Sequence, residues 1–143
     1  VDDLGWLRLA CELAAFCPPS GTAFSVGAVI VGPDGTELAR GFSRENDPTV
    51  HAEEAALEKL TGVPLDQATI YSSLEPCAKR ASRPHPCAKL IIAARIPRVV
   101  FAWREPALFV DCDGVELLTA AGVDVREIPE LSGLAQAPNV HLL

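Results

Sequence analysis

Ala68-Thr69-Ile70-Tyr71-Ser72, running on into Leu74-Glu75-Pro76-Cys77, is the stretch on which the fold turns. Its apolar, β-branched and aromatic residues read as a buried strand, closed by proline just ahead of a cysteine. A loop from Ala78 to Pro86 follows, then a helix from Cys87 through Leu90, Ile91 and Ala94. Arg98 to Trp103 reads as a strand, Asp113-Gly114 starts a short helix ending at Gly122, and Val123 to Ile128 is a last strand. Strands that alternate with helices in this way lie parallel, joined by right-handed crossovers. The chain is therefore α/β.

Toward the N-terminus the pattern changes. Phe24 to Val31 is a nearly unbroken apolar run, as expected of a strand covered on both faces. Gly32-Pro33-Asp34-Gly35 turns it back, and Thr36 to Phe42 forms the antiparallel partner. Residues 3–16 carry Leu4, Leu7, Cys11 and Ala14 at helical spacing, with Asp2 or Asp3 as cap, and Cys17-Pro18-Pro19-Ser20-Gly21 stops the helix. Cys11 and Cys17 read as small core residues. Asp47-Pro48 supplies a cap and a first helical residue for a helix through Ala52, Ala55, Ala56, Leu57 and Leu60 to Gly62. The tail from Pro129 to Leu143 shows no period.

A length of 143 residues without repeat or linker suits one domain, taken as 1–143. The net charge of −7 argues against a surface that grips polynucleotide backbone. No apolar run reaches the length of a membrane span, and nothing at the start reads as a signal peptide. With no methionine anywhere, the displayed start need not be the translated one. The five cysteines lack paired spacing, so the expectation is a reducing, cytoplasmic compartment with thiols used for metal or packing.

The chemistry is carried by His51-Ala52-Glu53 and by Cys77 and Cys87. One imidazole and two thiolates make a three-ligand zinc site whose fourth position is left to water, and the ion makes that water acidic. Glu53, two residues from the histidine and not a ligand, is the acid–base group that moves the water's protons. Residues two apart on a helix diverge, so His51 and Glu53 converge only if the metal lies off the helix's N-terminal end. Three duller readings compete: a closed structural zinc site using Cys112 or His85 as fourth ligand, a Cys77–Cys87 disulfide, and a non-catalytic zinc-stabilised binding module. A scaffold has no use for a carboxylate beside an open metal position. H-x-E followed by P-C-x-x-C marks zinc-dependent base deaminases, and here the cysteine half is stretched to ten residues. The intervening loop gathers Lys79, Arg80, Arg83 and His85 in an acidic protein. Those cations are either a solvated loop or the receptor for an anionic group on the substrate, most simply a phosphate.

At these residues the chain resembles the cytidine and deoxycytidylate deaminase superfamily over about residues 4 to 128. Leu74-Glu75-Pro76-Cys77, the proline-rich loop to Pro86-Cys87, Ala88 to Arg95 and Arg98-Val99-Val100 look most like the deaminase domain of riboflavin biosynthesis. Glu45 to Glu53 is similar to guanine and tRNA adenosine deaminases, and Phe24 to Ala28 to free cytidine deaminases. The resemblance implies a three-layer α/β/α sandwich with a five-stranded mixed sheet. It also implies a zinc-dependent hydrolytic deaminase of an aminated pyrimidine or related heterocycle, phosphorylated in the riboflavin-type family, with a free base or nucleoside as the alternative substrate. Homodimers or larger homo-oligomers are common among such relatives. Ser25 falls in the stretch that is Asn-Pro-Asn-Val-Gly in riboflavin-type enzymes, and Ser43 falls where relatives have asparagine or histidine. Both join Lys79, Arg80, Arg83 and His85 as expected substrate contacts.

Overall fold

The computed structural model describes residues 2–78, 86–104 and 114–143. It contains one five-stranded sheet in the order β2-β1-β3-β4-β5, built from β1 (Gly27–Val31), β2 (Glu37–Phe42), β3 (Thr69–Leu74), β4 (Arg98–Trp103) and β5 (Asp124–Glu127). β1 pairs antiparallel with β2 and β3, while β3, β4 and β5 run parallel, so the sheet is mixed as expected. Every residue of β1 is buried, because helices cover both faces of the sheet. The edge strand β5 is largely exposed and carries charge, which blunts a free edge.

Period-two alternation divides the core into two layers. Val29, Val31, Tyr71, Val100 and Ala102 face α1 (Asp3–Leu13), which presents Leu7, Ala10, Cys11 and Leu13. Ile30, Ile70 and Val99 face α2 (Ala52–Glu58), α3 (Cys87–Ala93) and α4 (Gly114–Ala120) through Ala56, Ile91 and Leu118. Full burial of a side chain such as Ile91 contributes about 1.5–3 kcal/mol. Asp2 caps α1 by accepting from the Gly5 amide at 3.0 Å. Leu4 departs from the expected apolar stripe and is 45% exposed. No helix among the described residues is long and apolar enough to cross a membrane.

Three local expectations need correction. The helix expected from Asp47-Pro48 starts only at Ala52, with His51 as its N-cap. The Asp47 carboxylate instead accepts from the Thr49 amide and hydroxyl, both at 2.8 Å, and the Val50 amide donates to the Asp47 carbonyl. Such side-chain-to-backbone bonding holds a turn in competition with a helix. The strand expected from Phe24 begins at Gly27. The tail is helical: a 3-10 turn at Pro129–Leu131, α5 (Ser132–Gln136) and a further 3-10 turn at Ala137–Leu142. Leu131 and Ala135 from this tail join the α1 layer.

Candidate metal and catalytic site

Two junctions deliver the donors, both at the end of the sheet where β3 and β4 finish. On one side the chain leaves β2 through Arg44, whose backbone is left-handed at φ 60 and whose amide donates to the Val50 carbonyl at 2.9 Å. This reversal brings His51 back to the sheet end. As N-cap, His51 has extended backbone, φ −91 and ψ 160, so its ring projects beyond the helix instead of along its side. Its amide donates to Glu54 Oε1 at 3.3 Å, which anchors the cap. α2 sits directly on β2 at Gly41, where a Cβ would meet the Ala52 carbonyl at 2.5 Å and the Ala56 nitrogen at 2.6 Å. A side chain there would lift the helix that carries His51 and Glu53.

On the other side, β3 ends at Leu74 and Pro76-Cys77 follows. The Ala88 amide donates to the Cys77 carbonyl at 2.9 Å, and the Cys87 amide to Cys77 Sγ at 3.3 Å. The first turn of α3 is thereby fastened to the strand end, with Cys87 at its first residue as expected. Glu75, 2% exposed, accepts from the Val115 amide at 3.0 Å and so holds the start of α4. At Gly114 a Cβ would meet the Pro76 carbonyl at 1.8 Å, so that helix start rests on the cysteine-bearing backbone. Sequence reasoning gave Glu75 and Gly114 no separate role, since their partners are distant along the chain, 40 residues in the case of Glu75 and Val115.

His51 Nδ1 lies 3.6 Å from Cys77 Sγ and 3.4 Å from Cys87 Sγ, and the three donor atoms are all within 4.8 Å of one another. Tetrahedral zinc, with Zn–S near 2.3 Å and Zn–N near 2.0–2.1 Å, sets a nitrogen–sulfur edge of about 3.6 Å. The donor set therefore fits zinc in both chemistry and spacing. The Cys77 thiol is held at about 4, well below its ordinary 9.0. The largest cause is the hydrogen bond with the Cys87 side chain; the His51 ring adds to it, and burial opposes both. That direction favours the thiolate, the form that ligates metal. No disulfide joins Cys77 to Cys87, so the disulfide reading falls. Cys11 and Cys17 are free as well and lie outside the cluster; burial pushes the Cys11 thiol up to about 12. Glu53 is 4% exposed in the first turn of α2, two residues from the histidine donor.

Ser25 and Ser43 are both buried near this end of the sheet. Ser25 Oγ accepts from Arg44 Nη2 at 2.7 Å, and Ser43 Oγ accepts from the Val26 amide at 3.0 Å. Phe24 packs edge-on against Trp103 with ring centroids 5.3 Å apart. Lys79, Arg80, Arg83 and His85 lie outside the described residues, as do Phe109 and Cys112. The closed site that would recruit Cys112 or His85 falls on the same undescribed segments.

A deaminase-type sandwich with one imidazole and two cysteine sulfurs gathered at one end of the sheet is what the geometry defines. The chain belongs to the cytidine and deoxycytidylate deaminase family, whose zinc-binding region matches residues 2–103. It is 44% identical over 126 residues to the diaminohydroxyphosphoribosylamino-pyrimidine deaminase of Schizosaccharomyces pombe, covering 85% of this chain and 31% of that protein. It superposes on RibD of Acinetobacter baumannii (form 2) with TM-score 0.82 at 34% identity, over 99% of this chain and 39% of that one. Against the Aspergillus oryzae Rib2 deaminase in complex with DARIPP the TM-score is 0.80 at 25% identity, over 98% and 95% of the two chains. The chain spans about a third of the length of the S. pombe relative.

Proposed function

We propose that this chain is a zinc-dependent hydrolytic deaminase domain, with 1–143 acting as one unit, whose substrate is an aminated pyrimidine carried on a phosphorylated ribosyl group. The observation that carries the reading is the convergence of His51 Nδ1, Cys77 Sγ and Cys87 Sγ, with the buried Glu53 two residues along the chain from His51. The S. pombe relative, a diaminohydroxyphosphoribosylamino-pyrimidine deaminase, supports the substrate class. Zinc, when bound, makes water acidic near neutral pH and so supplies the nucleophile. His51, Cys77 and Cys87 would hold the ion. Glu53 accepts the water's proton and returns protons to the ring nitrogen and to the departing amine. The carbon gains oxygen, loses nitrogen, and ammonia leaves. Lys79, Arg80, Arg83 and His85 receive the phosphate, while Ser25 and Ser43 belong to the wall that meets the heterocycle. A cytoplasmic setting, a homo-oligomeric assembly and a small-molecule substrate accord with this reading, and the net charge of −7 disfavours a polynucleotide.

The test is ammonia release by zinc-loaded protein over a panel: a diaminopyrimidinone ribosyl phosphate, its dephosphorylated form, guanine, cytosine, cytidine and deoxycytidylate. Turnover of the phosphorylated diaminopyrimidinone well above the others is expected. Preference for guanine or cytidine would move the chain to the alternative substrate. Stoichiometric zinc with no release from any member would leave a binding module.

A further inference from the structure

Where the chain enters β1, side chains supplement the backbone pairing, in which the Ser43 amide donates to the Val26 carbonyl at 3.0 Å. The amides of Ser25, Val26 and Gly27 donate in succession to Asn139 Oδ1 at 2.6 Å, Ser43 Oγ at 3.0 Å and Ser73 Oγ at 3.1 Å. These acceptors come from the tail, from the residue after β2, and from β3. Asn139 also donates through Nδ2 to the Ser25 carbonyl at 3.0 Å and to the Ala135 carbonyl at 3.2 Å. It is 1% exposed and lies 114 residues from Ser25 in the chain. Its amide thus satisfies both backbone groups of Ser25, in the manner of a paired strand.

The segment so held borders the donors. β1 runs antiparallel to β3, so its beginning lies at the end of the sheet where β3 delivers Cys77. Phe24, Val26 and Ala28 form one apolar cluster with Leu74 and with Ala52, the residue between His51 and Glu53. Phe24 also meets Trp103, whose carbonyl accepts from the Glu75 amide at 2.9 Å. The family match ends at residue 103, so the tail is outside it.

We propose that Asn139 is a positioning residue for the substrate pocket: it fixes the Ser25 backbone, and the tail thereby sets how the heterocycle is received. This rests on the deaminase reading above. The hydrogen bonds of Asn139 go to Ser25 and Ala135, and the metal donors His51, Cys77 and Cys87 are not among these partners. Loss of the latch should therefore weaken substrate binding while sparing the metal.

The experiment compares zinc-loaded parent, Asn139→Ala and Asn139→Asp for zinc content, thermal midpoint, KM and kcat on the best substrate of the panel. Asn139→Asp keeps an acceptor for the Ser25 amide but loses the donor to its carbonyl, and guards against simple loss of folding. In both variants KM should rise, about tenfold for Asn139→Ala and less for Asn139→Asp, with kcat within about twofold and zinc stoichiometric. Unchanged KM in a folded variant overturns the proposal, as does a matched fall in kcat and zinc with KM constant. A parent inactive on every panel member overturns the deaminase reading itself, a separate result.

Discussion

The two ends of the sheet each meet the first turn of a helix that carries a carboxylate, and the two carboxylates have different fates. At the end where β3 and β4 begin, Asp3 of α1 accepts from Arg98 through both oxygens, with Nη1 to Oδ1 at 2.9 Å, and from the Tyr71 hydroxyl at 2.6 Å. Arg126 Nη1 stands 3.7 Å away. Arg98 holds the Asp3 carboxyl at about 2, below its ordinary 3.8, and the Tyr71 and Arg126 side chains act in the same direction. At the opposite end Glu53 is buried in the first turn of α2, two residues from the ring of His51 that meets two sulfurs. Asp3 closes a seam between helix and sheet. Glu53 follows closely on a donor, His51, whose cluster suits a metal ion. One end of the sheet closes a seam of the fold, and the other gathers the metal donors, as in open α/β sheets that bind ligands at the carboxyl ends of their strands.

That contrast can be broken at either end. The largest expected effect is that of Glu53→Ala, which should lower turnover by at least about 10²–10⁴-fold. Zinc should stay stoichiometric and the thermal midpoint should move little. Retained ammonia release would end the assignment of Glu53.

Gly41→Val probes the joint that seats α2 on β2. Its side chain would have to displace the Ala52 carbonyl, so a loss of about 1–3 kcal/mol is expected in urea unfolding. Turnover should fall with it, because the same helix carries His51 and Glu53. A fully stable variant would show that α2 can shift without consequence.

The smallest effect belongs to the other end. Asp3→Asn should cost about 1 kcal/mol at pH 7, allowing for solvent at a partly exposed pair, and leave kcat and KM unchanged. Since the folded carboxyl titrates below the unfolded one, its contribution is fully present above about pH 4 and fades as pH falls toward 2. Unfolding curves of parent and Asp3→Asn should converge over that window; a constant gap would mean that the seam does not depend on this charge.

Much of this was legible in the residues alone. Apolar runs and their turns specified the hairpin, the parallel strands and the helices between them, because period and punctuation are local properties. The ligand triad was readable as well, since few other roles unite a histidine, two cysteines and a nearby carboxylate. The start of α2 was not, because Asp47 and Thr49 satisfy each other locally and shift the cap to His51. That shift is what lets two residues near one helix end serve one site. Asn139 carried no signal, since a lone asparagine in an aperiodic tail looks like any loop residue.

The sequence by itself determined the order and type of the elements and the identity of the donors, through short-range periodicity and the narrow chemistry of zinc ligands. Only the tertiary structure decided which backbone each buried polar side chain would satisfy: Glu75 the start of α4, Asn139 the backbone of Ser25. Such pairings join residues 40 and 114 positions apart. They exist because a buried amide must find an acceptor wherever the folded chain brings one, and nothing local names it in advance.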